Sequence, residues 1–174
     1  MLWKGNNMKD VYILAVESSC DDTSIAIVKN GKECIAMSIS SQIAVHNKFG
    51  GVVPEIASRM HCENILYVLE DCLSQTNLKI EDMDAIAVTY KPGLLGSLLV
   101  GLEFAKTVAA VYNKPLIGVN HLIGHIYANN IEDNLEFPLL ALVVSGGHTE
   151  LSIMHNNYEF ELLGTTLDDA IGES

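Results

Sequence analysis

The order of apolar segments constrains the fold of this chain more than any other feature of its sequence. A meander of short strands opens the chain, with Asn30-Gly31 as a hairpin turn, and a second meander lies near the end. The strands of the first are predicted at residues 11–17, 23–29 and 33–40. Those of the second are predicted at residues 138–145, 149–155 and 158–164. This recurrence predicts an α/β domain followed by the beginning of a similar one.

Helices and strands alternate between the two meanders. Pro54 suits the first turn of a long helix that ends near Asn77. The predicted apolar side of this helix carries Ile56, Met60, Ile65, Leu66 and Leu69. The elements that follow are a strand at 85–90, a helix at 96–112, a strand at 116–119 and a helix after Asn120. We expect an extension at 1–7, a first domain over 8–133 and the start of a second over 134–174.

Composition limits the classes of protein to which the chain can belong. Of its 174 residues 49% are hydrophobic and 18% are charged, which indicates a compact globular protein. The net charge of -12 repels phosphate backbones and disfavours a large nucleic-acid surface on this chain. The four cysteines lack C-x-x-C spacing, which favours reduced thiols in the cytoplasm. The first ten residues contain no apolar core of a signal peptide, and the longest hydrophobic runs are too short and too interrupted by glycine to span a bilayer, so neither export nor membrane insertion is expected.

His121 and His125 are candidate metal ligands. Histidines four residues apart on a helix project from one face, about 6 Å apart, and can reach a single ion. The alternative is a pair of polar residues on an exposed helix face. A third ligand is not obvious nearby, and Leu122 stands where the H-E-x-x-H protease motif has its glutamate. The spacing therefore indicates part of a metal site and disfavours a zinc protease.

Two polar turns and one glycine-rich segment are further candidates. Glu17 precedes an acidic turn at the carboxyl end of a buried strand, where it would face a ligand or lie in a solvated turn. Cys20 in that turn has no base placed beside it by the sequence, so it is not predicted to be a nucleophile. The Gly146-Gly147 turn is either an anion-binding nest or an ordinary hairpin. Gly96 and Gly101 are best explained by close packing of a helix.

The order of these segments resembles the TsaD family of the actin-like ATPase superfamily, formerly described as O-sialoglycoprotein endopeptidases. The matching stretches are residues 16–23, 50–59, 92–101, 118–125, 144–149 and 167–173. The resemblance implies an actin-like, ribonuclease H-like α/β fold. It also implies a metal-dependent acyltransferase of tRNA processing, which transfers the threonylcarbamoyl group of threonylcarbamoyl-AMP to N6 of the adenosine adjacent to the anticodon in tRNAs that read A-starting codons.

The resemblance also assigns roles to individual residues. It implies that His121 and His125 bind one divalent metal ion, iron(II) with zinc as the alternative. Glu17 matches a candidate catalytic carboxylate that faces the active cleft. The residues that match the adenylate-binding loop are Val144, Ser145, Gly146, Gly147 and His148.

Family members continue for roughly another domain, which supplies an aspartate ligand, so we expect this chain to be an incomplete fragment with little activity alone. The implied partners are tRNA, threonylcarbamoyl-AMP, a paralogous TsaB-type subunit and a TsaE-type ATPase, in the cytoplasm and without a membrane. The alternatives are a non-catalytic actin-fold subunit of the same complex and the metalloprotease of the older description. The histidine pair argues against the first alternative, and Leu122 argues against the second.

Overall fold

The computed structural model describes residues 9–145 and 148–166, which form two compact units. The first unit ends at His121 and the second begins at Leu122. Both units combine strands with helix in the order that the apolar segments predict. The domain division after residue 133 stays a prediction.

The first unit contains a five-stranded sheet with the strand order β3-β2-β1-β4-β5. Its strands are β1 (Tyr12–Glu17), β2 (Asp22–Lys29), β3 (Glu33–Ser41), β4 (Ala85–Lys91) and β5 (Leu116–Asn120). The first three form the antiparallel meander, and β4 and β5 are added parallel to β1. Asn30 and Gly31 have φ values of 53° and 69°, as the predicted hairpin turn requires. The carboxyl ends of β1, β4 and β5 therefore lie at the same edge.

Two long helices cover one face of this sheet. The helices of the first unit are the short α1 (Ile43–His46), α2 (Pro54–Ser74) and α3 (Leu95–Val111). The buried residues of α2 are Ala57, His61, Ile65, Val68, Leu69 and Cys72. Placing Leu66 on the apolar side was wrong, because its side chain is 58% exposed. The short helix α1 and the 3-10 turns at Asn47–Phe49 and Ile80–Asp82 were not predicted.

Close packing explains the glycines of α3, as the sequence suggests. A Cβ atom on Gly101 would lie 2.2 Å from Ser18 Oγ, and one on Gly96 would lie 2.8 Å from Ser58 Oγ. These glycines let α3 approach the turn after β1 and helix α2 more closely than a side chain would allow. Helix α3 therefore packs directly behind the edge where the candidate residues lie.

The second unit is a three-stranded antiparallel sheet with one helix. Its elements are α4 (His121–Glu132), β6 (Leu139–Ser145), β7 (His148–Asn156) and β8 (Glu159–Thr165), with the strand order β6-β7-β8. Helix α4 begins with the last residue of the first unit. Ile126, Ala141 and Met154 form the small core. Within the described residues, none of the helices combines the length and apolar character needed to cross a membrane.

Candidate functional site

Glu17 is the last residue of β1 and the centre of a hydrogen-bond network. The backbone N–H of Ser19 donates to its Oε1 over 2.6 Å, and the hydroxyl of Thr89 donates to its Oε2. Burial raises the pKa of this carboxyl, but the hydrogen bonds from His121, Ser19 and Thr89 outweigh burial and lower the pKa to about 2. Glu17 is therefore ionised at neutral pH and acts only as a hydrogen-bond acceptor.

His121 follows β5 and faces Glu17 across the edge of the sheet. Its Nδ1 lies 3.2 Å from Glu17 Oε2 and 3.1 Å from Ser19 Oγ. Because an ionised carboxylate has no proton to donate, Nδ1 carries a proton, and in the neutral ring the lone pair is on Nε2. A histidine that donates one ring N–H to a carboxylate and uses the other nitrogen as a ligand is the usual arrangement at metal centres.

His125 lies one turn further along α4, at the spacing that the sequence analysis singled out. Within the second unit it borders a cavity of about 500 Å³, together with residues 139–144 of β6. Val144 is 47% exposed there. The other predicted loop residues lie outside what is described: Gly146 and Gly147 altogether, and Ser145 and His148 in their side chains.

The side chains present fit part of a metal site. Imidazole nitrogens suit iron and zinc, and Glu17 gives the ring of His121 a defined orientation and tautomer. Among residues 9–145 and 148–166, no group of three or more His, Cys, Asp or Glu side chains is placed to hold a metal. A complete metal centre would need a ligand from outside these residues.

Two more side chains follow Glu17 closely: the thiol of Cys20 in the turn after β1 and the carboxyl of Asp22 at the start of β2. Burial, together with Asp21 and Asp22, raises the pKa of the Cys20 thiol to about 11. A protonated thiol is a poor nucleophile, and the sequence likewise does not predict Cys20 to be a nucleophile. Asp22 Oδ1 is a buried atom without a hydrogen-bond partner in the described part of the chain.

Thr89 was missed from the sequence, and Ser19 was included only as part of the polar turn after β1, although both contact Glu17. Thr89 is near the end of β4, and Ser19 lies in the turn after β1. Their proximity to Glu17 follows from the parallel pairing of β1 with β4, which places both strand ends at one edge. The sequence signal that could have identified them is the accumulation of polar residues at the carboxyl ends of parallel strands.

Comparisons with known proteins give a consistent result over nearly the whole chain. Residues 33–174 match the family model of TsaD, tRNA N6-adenosine threonylcarbamoyltransferase. A protein of that name from Ligilactobacillus salivarius is 55% identical over 166 residues, 95% of this chain and 48% of the relative. Another from Fusobacterium nucleatum is 55% identical over 164 residues, 94% of this chain and 48% of the relative. The chain thus spans about half the length of these curated relatives.

Solved structures with the same fold are more distant in sequence. YeaZ from Pseudomonas aeruginosa has a TM-score of 0.59 and 17% identity, over 90% of this chain and 66% of that one. The ethanolamine utilization protein EutJ from Carboxydothermus hydrogenoformans has a TM-score of 0.55 and 13% identity, over 96% of this chain and 55% of that one. At such identities the likeness shows the fold alone. It confirms the actin-like α/β fold expected from the sequence.

Proposed function

The chain belongs to the TsaD family of tRNA N6-adenosine threonylcarbamoyltransferases, and we propose that it contributes metal-binding and substrate-binding residues to threonylcarbamoyl transfer. The observation that carries the proposal is the contact of Glu17 Oε2 with Nδ1 of His121, 3.2 Å apart. Because the chain spans about half of its relatives, the reaction is proposed for the complete protein.

One divalent metal ion, iron(II) with zinc as the alternative, is proposed to bind Nε2 of His121 and the ring of His125. When bound, the ion would supply Lewis-acid polarisation of the carbamoyl carbonyl of threonylcarbamoyl-AMP. Glu17 supports this role because it keeps the proton of the His121 ring on Nδ1. A carboxylate with a pKa of about 2 is a poor proton acceptor, so we assign Glu17 a positioning role rather than that of a general base.

The proposed transfer is a substitution at the carbamoyl carbon. A bond forms between N6 of the adenosine and this carbon, the bond from this carbon to the phosphate oxygen of AMP breaks with its electron pair leaving on AMP, and the proton of N6 passes to solvent water. The residues proposed to contact the adenylate are Val144, Ser145, Gly146, Gly147 and His148. This assignment is supported by the matched family motif and by the place of Val144 on the same cavity as His125.

The proposed partners are tRNA, a TsaB-type subunit and a TsaE-type ATPase, in the cytoplasm. A chain with a net charge of -12 offers a poor surface for a polyanion. Most of the cationic surface that holds the tRNA is therefore proposed to lie on other parts of the assembly.

Transfer to unmodified tRNA by the complete assembly tests this function. We expect His121→Ala and His125→Ala each to lower the rate by a factor of about 100 or more, since each removes a metal ligand. His155→Ala is the matched control, because His155 lies on β7 and pairs with Glu161 at 2.8 Å. Full activity of both ligand variants would contradict the proposal. Cleavage of glycoprotein by the wild type, lost in both variants, would favour the older protease assignment.

A further inference from the structure

His61 is a histidine that neither the resemblance nor the proposed reaction uses. It lies on α2 with no exposed surface, and both ring nitrogens have partners. Nε2 lies 3.0 Å from the carbonyl oxygen of Cys20, and Nδ1 lies 2.7 Å from Thr23 Oγ1. A carbonyl oxygen only accepts, so Nε2 carries a proton, and in the neutral ring Nδ1 accepts a hydrogen bond from the threonine hydroxyl. The two partners thus select a single tautomer of the neutral ring.

The hydrogen bond from His61 to the carbonyl oxygen of Cys20 connects the turn between β1 and β2 to the buried side of helix α2. The same carbonyl accepts a hydrogen bond from Ser97 Oγ over 3.2 Å, at the start of α3. Ser18 Oγ donates to the carbonyl of Ser97 over 2.8 Å, and the carbonyl of Ser19 accepts from the N–H of Leu94 over 2.8 Å. The turn is thus held by hydrogen bonds from α2 and from both sides of the start of α3.

The opposite side of this turn faces the candidate metal ligand. Ser19 Oγ lies 3.1 Å from Nδ1 of His121, and the Ser19 N–H donates to Glu17 Oε1. Cys20, whose carbonyl contacts His61, is the next residue in the chain. A shift of the turn away from α2 would therefore move Ser19 relative to His121.

We propose that His61 is a positioning residue that fixes the turn after β1, and through Ser19 and Glu17 the orientation of the His121 ring. This inference rests on the proposed role of His121 as a metal ligand. Burying a polar ring gains little stability, because its hydrogen bonds only offset the loss of contact with water. The presence of His61 at this buried position is therefore better explained by its effect on the orientation of the turn than by a gain in folding stability.

Two substitutions separate the two bonds of His61. In His61→Gln the side-chain amide reaches about as far as Nε2 and keeps a donor for Cys20. In His61→Asn the amide reaches only as far as Nδ1 does. It therefore keeps a partner for the Thr23 hydroxyl but loses the hydrogen-bond donor to the carbonyl oxygen of Cys20. His61→Leu removes both. The control is His46→Leu, because His46 is also buried but bonds Gln42 and the Val53 N–H instead of this turn.

The first readout is the ring of His121 in the metal-free chain, by long-range ¹H–¹⁵N NMR at neutral pH. We expect the wild type and His61→Gln to show protonated Nδ1. The Asn and Leu variants should show a mixture of tautomers, and His46→Leu should match the wild type. The second readout is transfer by the complete assembly, which we expect to fall about tenfold in the Asn and Leu variants and to be retained in His61→Gln.

Identical His121 signals and rates in the Gln and Asn variants would overturn the inference, and this pair decides the question even where the leucine variant does not fold. An equal effect of His46→Leu would also overturn it, because the change would then reflect general loosening of the core. A failure of the proposed function can be told apart from a failure of this inference. The first would appear as full activity of His121→Ala, whereas the second appears in the ring signals of His121, which are measured without metal and without an activity assay.

Discussion

At the scale of residues, the site depends on one carboxylate and one histidine that are far apart in sequence. Glu17 and His121 were singled out from motif positions, but their contact could not be predicted, because it requires the parallel pairing of β1, β4 and β5. Once they are in contact, the ionised Glu17 assigns the proton of the ring to Nδ1. The tautomer is thus a consequence of the fold.

Glu17 should make stability depend on pH. The pKa of its carboxyl falls from 4.5 to about 2 on folding, so its contribution is complete above the unfolded value and lost as the pH falls through the folded value. We expect Glu17→Gln to lower the free energy of unfolding in neutral solution, and this difference to shrink between pH 4.5 and about 2. Urea denaturation followed by circular dichroism checks this. A difference that is constant with pH would contradict it.

At the scale of elements, the sequence predicted each strand of residues 9–145 and 148–166, but the predicted buried face of α2 was partly wrong. Periodicity alone assigned Leu66 to the core, whereas the buried stripe includes His61 and the neighbouring Ile65. Residues adjacent in a helix are about 100° apart, so both could not lie at its centre. The polar His61 can occupy a core position because both of its ring nitrogens are hydrogen-bonded. A pattern of hydrophobic residues in the sequence cannot predict such hydrogen bonds.

The turn after β1 should be sensitive to the glycine packed against it. A Cβ on Gly93 would lie 2.5 Å from the carbonyl oxygen of Ser19, a backbone atom that cannot rotate away. We expect Gly93→Ala to lower the free energy of unfolding by about 1–3 kcal/mol, measured by chemical denaturation. Gly51→Ala is the control, because no atom lies within 4 Å of its added Cβ. Equal stability of the two variants would refute this packing argument.

Strand β6 should cause the isolated chain to self-associate. Leu140 and Leu142 are 63% and 62% exposed on one face of an edge strand, which is a typical site of aggregation. We expect Leu142→Lys to lower the mass of the chain in size-exclusion chromatography with light scattering. Val111→Lys, at a helix position that is 70% exposed, should have no such effect. The explanation fails if both variants behave alike.

At the scale of the whole molecule, the charge of this chain disfavours direct binding of RNA. The net charge of -12 opposes a polyanion, although the family modifies tRNA. We expect the 174-residue chain by itself to show no saturable binding of tRNA in fluorescence anisotropy at physiological salt, and no transfer. The complete protein together with its partner subunits should, in contrast, bind tRNA. Saturable binding by the chain alone that persists at high salt would contradict this division of roles.

His121 and His125 are proposed to hold one metal ion together. The most direct measurement is the iron and zinc content of the anaerobically purified complete protein by mass spectrometry. We expect close to one ion per wild-type chain and per His155→Ala chain, and a loss of most of it in His121→Ala and His125→Ala. Wild-type metal content in both of these variants would contradict it.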